Sequence, residues 1–294
     1  MAADRGAGTR TNSGTDSGSH SGTATRPGGG ARPRILPLPA GGWPAWPLVE
    51  RNLVVYRRDW VVFVTGFLEP LLYLLSIGIG VQQLVGDFVL PDGRTVSYTE
   101  FVAPAMLAAS AMNGALFDTT FGVFFKLRYE KVYDGVLATP LRPRDVATGE
   151  LVWALMRAAV YAVAFVLIML ALDLVSSWWA LLAPPAAVLI GYAFGGAGMA
   201  LTTWMRTWQD FDFITLAILP MFLFSATFFP LERYPDAMQW MVQATPLYQG
   251  VVLCRGLSTG ALSWDMAVAV VYLVVLGSVG LAVASRRFGR LLLR

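Results

Sequence analysis

The sequence has 294 residues, of which 56% are hydrophobic and only 14% are charged, and its net charge at pH 7 is +3. Soluble domains carry about 25% charged residues, so this composition and a mean hydropathy of +0.57 exclude an ordinary water-soluble protein. A single cysteine and a single histidine leave no intrachain disulfide and no zinc-ligand spacing, and no cofactor is expected.

The N-terminal 60 residues divide into two segments. Residues 1–42 are rich in Gly, Ser, Thr and Pro. Such a segment cannot bury enough apolar surface to offset its ordering entropy, so we predict a disordered cytoplasmic tail; without an apolar segment directly after its charges it is not a signal peptide. Residues 43–60 mix Trp and aliphatic side chains with Arg and Glu, which predicts an amphipathic helix in the membrane interface. A polar extension of the first span is the alternative.

Six segments are apolar enough, and close enough to the roughly 20 residues that a bilayer requires, to span the membrane. They cover residues 61–81, 101–125, 151–172, 179–203, 211–229 and 266–284. Pro104 is expected near the start of the second span, where its missing N–H costs little, and Pro184 and Pro185 in the first turns of the fourth. Pro220 is expected to kink the fifth. The predicted fold class is an all-α polytopic membrane protein, with residues 61–294 as its membrane domain.

A further apolar stretch, residues 237–257, is divided by Pro246 into two pieces of roughly ten residues, too short to cross alone. With Pro235, Gly250 and Gly256 nearby, this predicts a re-entrant extracellular helix pair before the last span. Irregular backbone at that depth is tolerated where protein or a water-filled cavity covers it. A seventh full span is the alternative.

Basic residues near the span ends predict the orientation. One side would carry Arg51, Arg57, Arg58, Lys126, Arg128, Lys131, Arg142, Arg144, Arg206, Arg286, Arg287, Arg290 and Arg294. The other side would carry Arg94, Arg233 and Arg255. We therefore expect a multi-pass protein of the cell inner (plasma) membrane with both termini in the cytoplasm, which an even number of spans also requires.

The longest predicted cytoplasmic connection, residues 126–150, contains an amphipathic helix pattern. Apolar residues follow the spacing i, i+3, i+4, i+7, i+8 of one helix face: Tyr129, Val132, Tyr133, Val136 and Leu137. Pro140 would end this helix. The apolar face of this helix could be buried against the membrane, against the chain's own spans or against another protein.

The chain is not expected to be an enzyme. A phosphate-binding loop needs the pattern G-x-x-x-x-G-K-[ST], but the two lysines, Lys126 and Lys131, follow Phe and Glu. ATP-driven transport would therefore need a separate ATPase. A membrane enzyme acting on lipid-linked sugars would need clustered acidic or histidine side chains, and its only candidates, Asp210 and Asp212, are explained more simply by a solvated loop.

Ionisable residues inside predicted spans are costly and are candidates for function. Glu69 precedes Pro70 in the first span, Asp118 lies in the second and Arg157 in the third. Glu69 either shapes a gate at a proline kink or pairs with Arg157 or Asn113 to hold helices together. The same residues keep a proton-coupled secondary transporter open as an alternative, although no inverted repeat supports it.

Five stretches in a fixed order carry a family resemblance. They are residues 50–53, 69–73, 98–106 with 110–112, 149–150, and 223–230 followed by Pro235, 246–247 and Arg255. Residues 223–230 look like the run F-L-S-G-x-x-F-P, with Ala226 replacing the usual Gly. On these stretches residues 47–294 resemble the type-2 ABC exporter permeases, most closely the nodulation protein J branch, which is associated with lipo-oligosaccharide export.

This resemblance implies partners and roles that the pattern alone does not give. Two permease subunits, as a homodimer or with a related permease, would pair with two ATP-binding subunits and export a lipid, a lipid-linked oligosaccharide or an amphipathic drug; no nucleic acid is expected. Residues 129–137 would be the helix that couples to the ATPase and residues 43–60 the connecting helix. Residues 230–257 would form the gate, where the candidate gating residues are Glu69, Phe224, Phe228 and Phe229.

Overall fold

The computed structural model of the chain describes residues 45–58, 68, 71–76, 80–82, 84, 86–89, 93, 95–137 and 141–292. All of them belong to one contact unit, Pro39–Arg294. The predicted N-terminal tail lies outside the described residues, as does most of the first predicted span, including Glu69.

Residues 71–76 and 80–82 are helical and lie in or beside the first predicted span, and the further helices follow the predicted spans closely in order. They are α1 (Trp46–Arg58), α2 (Tyr98–Arg128), α3 (Val132–Leu137), α4 (Pro143–Ala171), α5 (Ala183–Thr202, after a 3₁₀ turn Trp178–Leu182), α6 (Asp210–Leu223), α7 (Asp236–Ala244), α8 (Pro246–Thr259) and α9 (Trp264–Leu292). Among the described residues, four helical segments are long and apolar enough to cross a membrane, namely α2, α4, α5 with its 3₁₀ turn, and α9. They correspond to the second, third, fourth and sixth predicted spans.

A short β-hairpin departs from the all-α prediction. Strand β1 (Asp87–Val89) pairs antiparallel with β2 (Thr95–Ser97), and Phe88 lies opposite Val96. Branched and aromatic residues such as these favour a pleated strand. The hairpin leads directly into α2.

The start of α2 also differs from the prediction. The Ser97 hydroxyl accepts a hydrogen bond from the Glu100 N–H at 3.1 Å, and the Glu100 carboxylate accepts one from the Ser97 N–H at 2.8 Å. This reciprocal capping box begins the helix at Tyr98. Pro104 therefore lies inside the helix rather than near its start, and the prediction for Pro104 was wrong.

The fifth predicted span is a shorter helix than expected. Helix α6 has 14 residues and ends at Leu223, so its rise is about 21 Å at 1.5 Å per residue. Pro220 lies in its last turn, where its carbonyl accepts the Phe224 N–H at 2.8 Å. Ala226 then has φ of 53°, which is incompatible with a right-handed helix, so the expected helix over 224–229 was wrong.

Residues 236–259 form two short helices that are divided at the predicted proline. Pro246 is the first residue of α8, and the Thr245 hydroxyl accepts a hydrogen bond from the Tyr248 N–H at 3.3 Å. Proline suits this position because its missing N–H would be unpaired there in any case.

Helix α5 is the centre of the packing and contacts α2, α4, α8 and α9. Its contact with α9 depends on glycines that bring the two backbones together. A Cβ placed at Gly280 would lie 2.4 Å from the Gly196 carbonyl carbon, and one at Gly196 would lie 2.5 Å from the Gly277 carbonyl oxygen.

The buried apolar residues form two main clusters. The hairpin-side core joins α2 to α5 and α8, through residues such as Phe101, Met112, Ile190, Leu247 and Cys254. The α3-side core joins α1, α3 and the ends of α4, α5 and α9, through residues such as Leu48, Tyr133, Leu151, Met199 and Phe288. The two candidate sites lie at these two cores.

Candidate functional site

The predicted coupling helix begins later than its apolar pattern indicates. Lys131 has φ of 49° and separates the end of α2 at Arg128 from the start of α3 at Val132. Tyr129 therefore lies in the turn between the two helices. Its side chain is 63% exposed, and its ring centroid lies 5.3 Å from that of Phe125.

The apolar face of α3 is covered by the chain itself, one of the three covers that the sequence left open. Tyr133 is 1% exposed, and its ring centroid lies 6.2 Å from that of Phe288 in α9. Val132 and Val136 are half-buried against the α3-side core, while the side chain of Leu137 lies outside the described part. The surface that remains open here is the turn, with Tyr129, Glu130 and Lys131.

Burial also determines the ionisation of Tyr133. Its desolvation raises the pKa of the phenol well above the usual range, and the nearby Glu150 carboxylate raises that pKa further. Tyr133 is therefore a neutral anchor of α3 rather than a proton donor.

Beside α3 lies a buried polar junction, formed by Asn52 of α1, Lys126 of α2 and Glu150 of α4. The Lys126 ammonium donates to Glu150 Oε2 at 2.7 Å and to Asn52 Oδ1 at 3.3 Å. Asn52 Nδ2 donates to the same Glu150 oxygen at 3.1 Å. Asn52 and Glu150 are 2% and 4% exposed. The junction joins α1 and α4 to the last turn of α2, three residues before Tyr129.

Close backbone packing accompanies this junction. A Cβ placed at Gly149 would lie 3.1 Å from the Leu48 side chain and 3.2 Å from the Ala45 carbonyl oxygen. Helix α1 therefore lies directly against the start of α4, and Asn52 reaches Glu150 across that contact. These contacts connect α1 to the N-terminal turns of α4.

A second buried ion pair lies further along α2. The Arg157 guanidinium of α4 donates to the Asp118 carboxylate, and both side chains are less than 10% exposed. Asp118 begins a π-helical turn, Asp118–Gly122, a local widening often found at functional sites. Glu69, one predicted partner of Arg157, lies outside the described residues, and Asn113 is exposed.

The predicted gate contains a strained turn held by an arginine. Ala226, where the family run has glycine, adopts the left-handed conformation with φ of 53°. Its carbonyl accepts a hydrogen bond at 2.9 Å from Arg255 of α8. Arg255 also donates to the Phe101 carbonyl at 3.3 Å and lies 3.7 Å above the Phe101 ring. This one side chain therefore links α8 and α2 to the turn after α6.

The three described gate candidates lie on that turn but differ in their surroundings. Phe228 is half-buried, with its ring 5.3 Å from that of Phe222, and packs against the hairpin-side core. Phe224 and Phe229 are 42% and 54% exposed. Only Phe228 is thus seated inside the protein, while the other two rings present an open aromatic surface.

The sequence did not reveal either side-chain junction. Asn52 and Glu150 entered only as parts of family-like stretches and Lys126 as a basic loop residue. Arg255 entered as a charge at a span end and as the last residue of a family-like stretch. The partners are separated by 24 to 98 residues in the Asn52–Lys126–Glu150 junction and by 29 and 154 residues at Arg255. Glycine in the family run was the one local indication, because it predicts a left-handed residue at position 226.

The charged side chains at the two sites are few and lie between helices. Within the described ranges, no group of three or more His, Cys, Asp or Glu side chains could hold a metal ion. The buried charges are instead paired between helices. Such an arrangement can transmit a displacement from one helix to another.

Comparison with known proteins fits this chemistry. The family model described as ABC-2 type transporter matches residues 45–258. The chain belongs to the ABC-2 type transporter family. This confirms the resemblance drawn from the five short stretches. The matched region of this ABC-2 type membrane protein includes the Asn52–Lys126–Glu150 junction and the Arg255-held turn.

Several characterised relatives carry the name nodulation protein J. The protein of Rhizobium leguminosarum bv. viciae is 31% identical over 263 residues, which cover 87% of this chain and 99% of that protein. The protein of Rhizobium meliloti (strain 1021) is 30% identical over 77% of this chain and 86% of its own length. The protein of Azorhizobium caulinodans is 24% identical over 70% of this chain and 80% of its own length.

Proposed function

We propose that this protein is the permease subunit of an ATP-driven exporter that moves a lipid, a lipid-linked oligosaccharide or an amphipathic drug outward. A separate ATP-binding subunit would hydrolyse ATP, and two permease subunits, identical or related, would surround the pathway. The observation that carries this proposal is the exposed turn Tyr129–Lys131, which directly follows the end of α2 that the Asn52–Lys126–Glu150 junction fixes against α1 and α4.

The proposed membrane arrangement has six spans in the inner membrane with both termini in the cytoplasm. Helix α6 and the turn after it would form the fifth span, and α7 and α8 a re-entrant extracellular pair. Helix α1 would lie in the cytoplasmic interface, preceded by residues 1–42 as a tail. The length of α7, nine residues, supports the re-entrant pair, because so short a helix cannot cross a bilayer alone. Helix α6 has 14 residues, as α8 does, so the fifth span would need the turn after α6 to complete it.

The proposed mechanism begins at the turn. Closure of the ATP-binding subunits would push on Tyr129, Glu130 and Lys131. Because α1 and the ends of α2 and α4 share the buried junction, they would move together. Helix α2 would carry this motion to the Phe101 carbonyl, where Arg255 links α2 to the gate turn. Substrate would then leave past Phe224, Phe228 and Phe229.

The test is copurification with the ATPase in mild detergent and ATP. The variant Tyr129→Asp/Lys131→Glu alters the exposed turn, whereas substitutions at Val132 or Val136 would disturb the core against which those side chains pack. We expect a P-loop ATPase with the native chain and its loss with the variant. The matched control, Glu232→Lys/Arg233→Glu, alters two exposed residues of the proposed extracellular side and should retain the ATPase. Retention by the turn variant would contradict the coupling assignment.

A proton-coupled secondary transporter is the second candidate, and the intramembrane Asp118–Arg157 pair favours it. In that case transport would continue without any ATPase and would stop in Asp118→Asn. The exporter predicts the reverse dependence, with transport abolished when the ATPase is inactivated. Reconstitution of the purified chain in vesicles, with and without its ATPase, separates the two.

A further inference from the structure

A basic groove lies between the start of α4, α5 and the C-terminal half of α9. It encloses about 940 Å³. Arg142 and Arg144 line it from the start of α4, and Arg286 lines it from α9. Tyr192 of α5 lies between these two helices on its wall. None of these residues belongs to the α2–α3 turn or to the gate turn.

The groove is positively charged and rich in hydroxyl groups. All three arginine side chains are exposed, and among the described residues that line the groove there is no acidic side chain. The hydroxyls of Tyr192 and Ser278 lie 2.9 Å apart in a hydrogen bond, and Ser285 and Thr148 add two more. Guanidinium groups with neighbouring hydroxyls suit phosphate oxygens, which accept several charge-assisted hydrogen bonds.

An apolar stripe on α9 leads to the same groove. Four residues share one helix face with Arg286, at spacings of three, four or seven residues: Val268, Val275, Val279 and Ala282. All four side chains are exposed in this subunit. An acyl chain can lie along such a stripe, and its polar end would then meet Arg286.

We propose that this groove binds the anionic headgroup of a membrane phospholipid, with the phosphate at Arg142, Arg144 and Arg286 and an acyl chain on the α9 stripe. A free phosphate would use the same arginines but would leave the stripe unused, so the lipid accounts for both observations. This site is separate from the exported substrate of the proposed function. The phospholipid would bind there whether or not the proposed export function is correct.

The experiment measures lipid retention by the full-length protein. The purified chain is placed in nanodiscs of phosphatidylcholine with a minor fraction of phosphatidylglycerol, extracted gently, and weighed with its bound lipid by native mass spectrometry. In Arg144→Gln/Arg286→Gln, the preference for phosphatidylglycerol should fall roughly tenfold or more, because each basic side chain contributes about 1 kcal/mol to the binding of anionic lipid. The control Arg206→Gln/Arg233→Gln removes the same charge from exposed sites elsewhere and should keep the preference.

Three further outcomes decide the proposal. Arg144→Lys/Arg286→Lys should recover much of the preference, which shows that charge is lost from the glutamine variant rather than its fold. Equal retention by the glutamine variant and the native chain would overturn the proposal. Displacement of the lipid by millimolar inorganic phosphate would also overturn it, since the site would then bind free phosphate. Failure of ATPase copurification would leave these readings unchanged.

Discussion

The α5–α9 contact and the α1–α2–α4 junction hold helices together by opposite means. At the first, Gly196, Gly277 and Gly280 bring two backbones into direct contact. At the second, a buried glutamate and a buried asparagine contact a lysine whose side chain is 14% exposed. The first contact depends mainly on shape, with the Tyr192–Ser278 hydrogen bond beside the glycines, and the second depends on charge.

The difference indicates separate roles. Small residues allow close packing in a membrane, where apolar burial distinguishes poorly between protein and lipid. A buried ion pair gains little net stability, because desolvation offsets the Coulomb attraction, but it strongly penalises the loss of either partner. The glycine contact therefore allows α5 and α9 to pack closely as a rigid pair. The polar junction instead penalises any arrangement of α1, α2 and α4 that separates its charged partners.

The largest expected effect is at the junction. Glu150→Ala would leave the Lys126 ammonium, whose side chain is 14% exposed, without its carboxylate partner and should lower the free energy of unfolding by about 3 kcal/mol, the lower end of the cost of breaking a buried pair. Reversible unfolding in mixed micelles measures this change. Glu130→Ala, which removes an exposed carboxylate from the adjacent turn, should stay within about 0.5 kcal/mol of the native chain. Similar losses in both variants would show that the junction is not special.

The glycine contact should give the next largest effect. In Gly280→Ala the new Cβ would lie 2.4 Å from the Gly196 carbonyl carbon, so α5 and α9 must separate, at a cost of about 1–3 kcal/mol. The same micelle unfolding measures it. Gly289→Ala lies on the same helix with nothing within 4 Å, and should be neutral or slightly stabilising. A loss in Gly289→Ala equal to that in Gly280→Ala would rule out close approach as the cause.

A smaller loss of stability is expected when only the neutral member of the junction, Asn52, is removed. Asn52→Ala keeps the Lys126–Glu150 pair and removes two hydrogen bonds, so we expect a loss of about 1.5 kcal/mol. A double-mutant cycle with Glu150→Ala should be non-additive, because the residues share partners. Strict additivity would mean that Asn52 acts independently of the ion pair.

The smallest expected effect on stability is at Asp210, the first residue of α6, which lies outside both contacts. The Asp210 carboxylate accepts hydrogen bonds from the Arg206 N–H at 2.6 Å and the Thr207 N–H at 3.0 Å. The Thr207 bond, then the Arg206 bond, lower the pKa of Asp210. Because the folded pKa lies below the unfolded one, the stabilisation is present above the unfolded pKa and is lost as pH falls through the folded pKa.

Asp210→Asn tests this pH dependence. The difference in Tm between the native chain and the variant should be small at pH 7 and should shrink as the pH approaches 3. A difference that stays constant over this range would mean that ionisation of Asp210 is not involved. The comparison also sets a baseline for an exposed polar contact against the buried junction.

The sequence predicted the elements that depend on composition and on single local residues. Apolar runs located α2, α4, α5 and α9, and Pro246 divided α7 from α8. The pattern Ser97-x-x-Glu100 is a recognisable capping box that would have placed Pro104 correctly inside α2. The apolar face at Tyr133 was also recognisable, but the spacing of one helix could not show that Phe288 of α9 covers it.

The remaining features depend on contacts between distant residues. Lys126 and Glu150 are identified as partners only when α2 and α4 are packed side by side. From the sequence alone, Arg157 could pair with any acidic residue at the same level in the membrane. Only the packing of α4 beside α2 identifies Asp118 as its partner. A single sequence does not show which distant residues come into contact. The spans were therefore predictable, but the side-chain contacts between them were not.

The alanine at position 226 biases the turn after α6, residues 224–229, toward a change in backbone conformation. An L-residue in the left-handed region lies about 1–2 kcal/mol above its right-handed alternative, and here the Arg255 hydrogen bond to its carbonyl holds it there. Glycine at this position would have no such preference. If Arg255 moved away, φ of Ala226 would relax from its positive value to the negative values that alanine prefers. Returning the turn to its present conformation would then cost free energy.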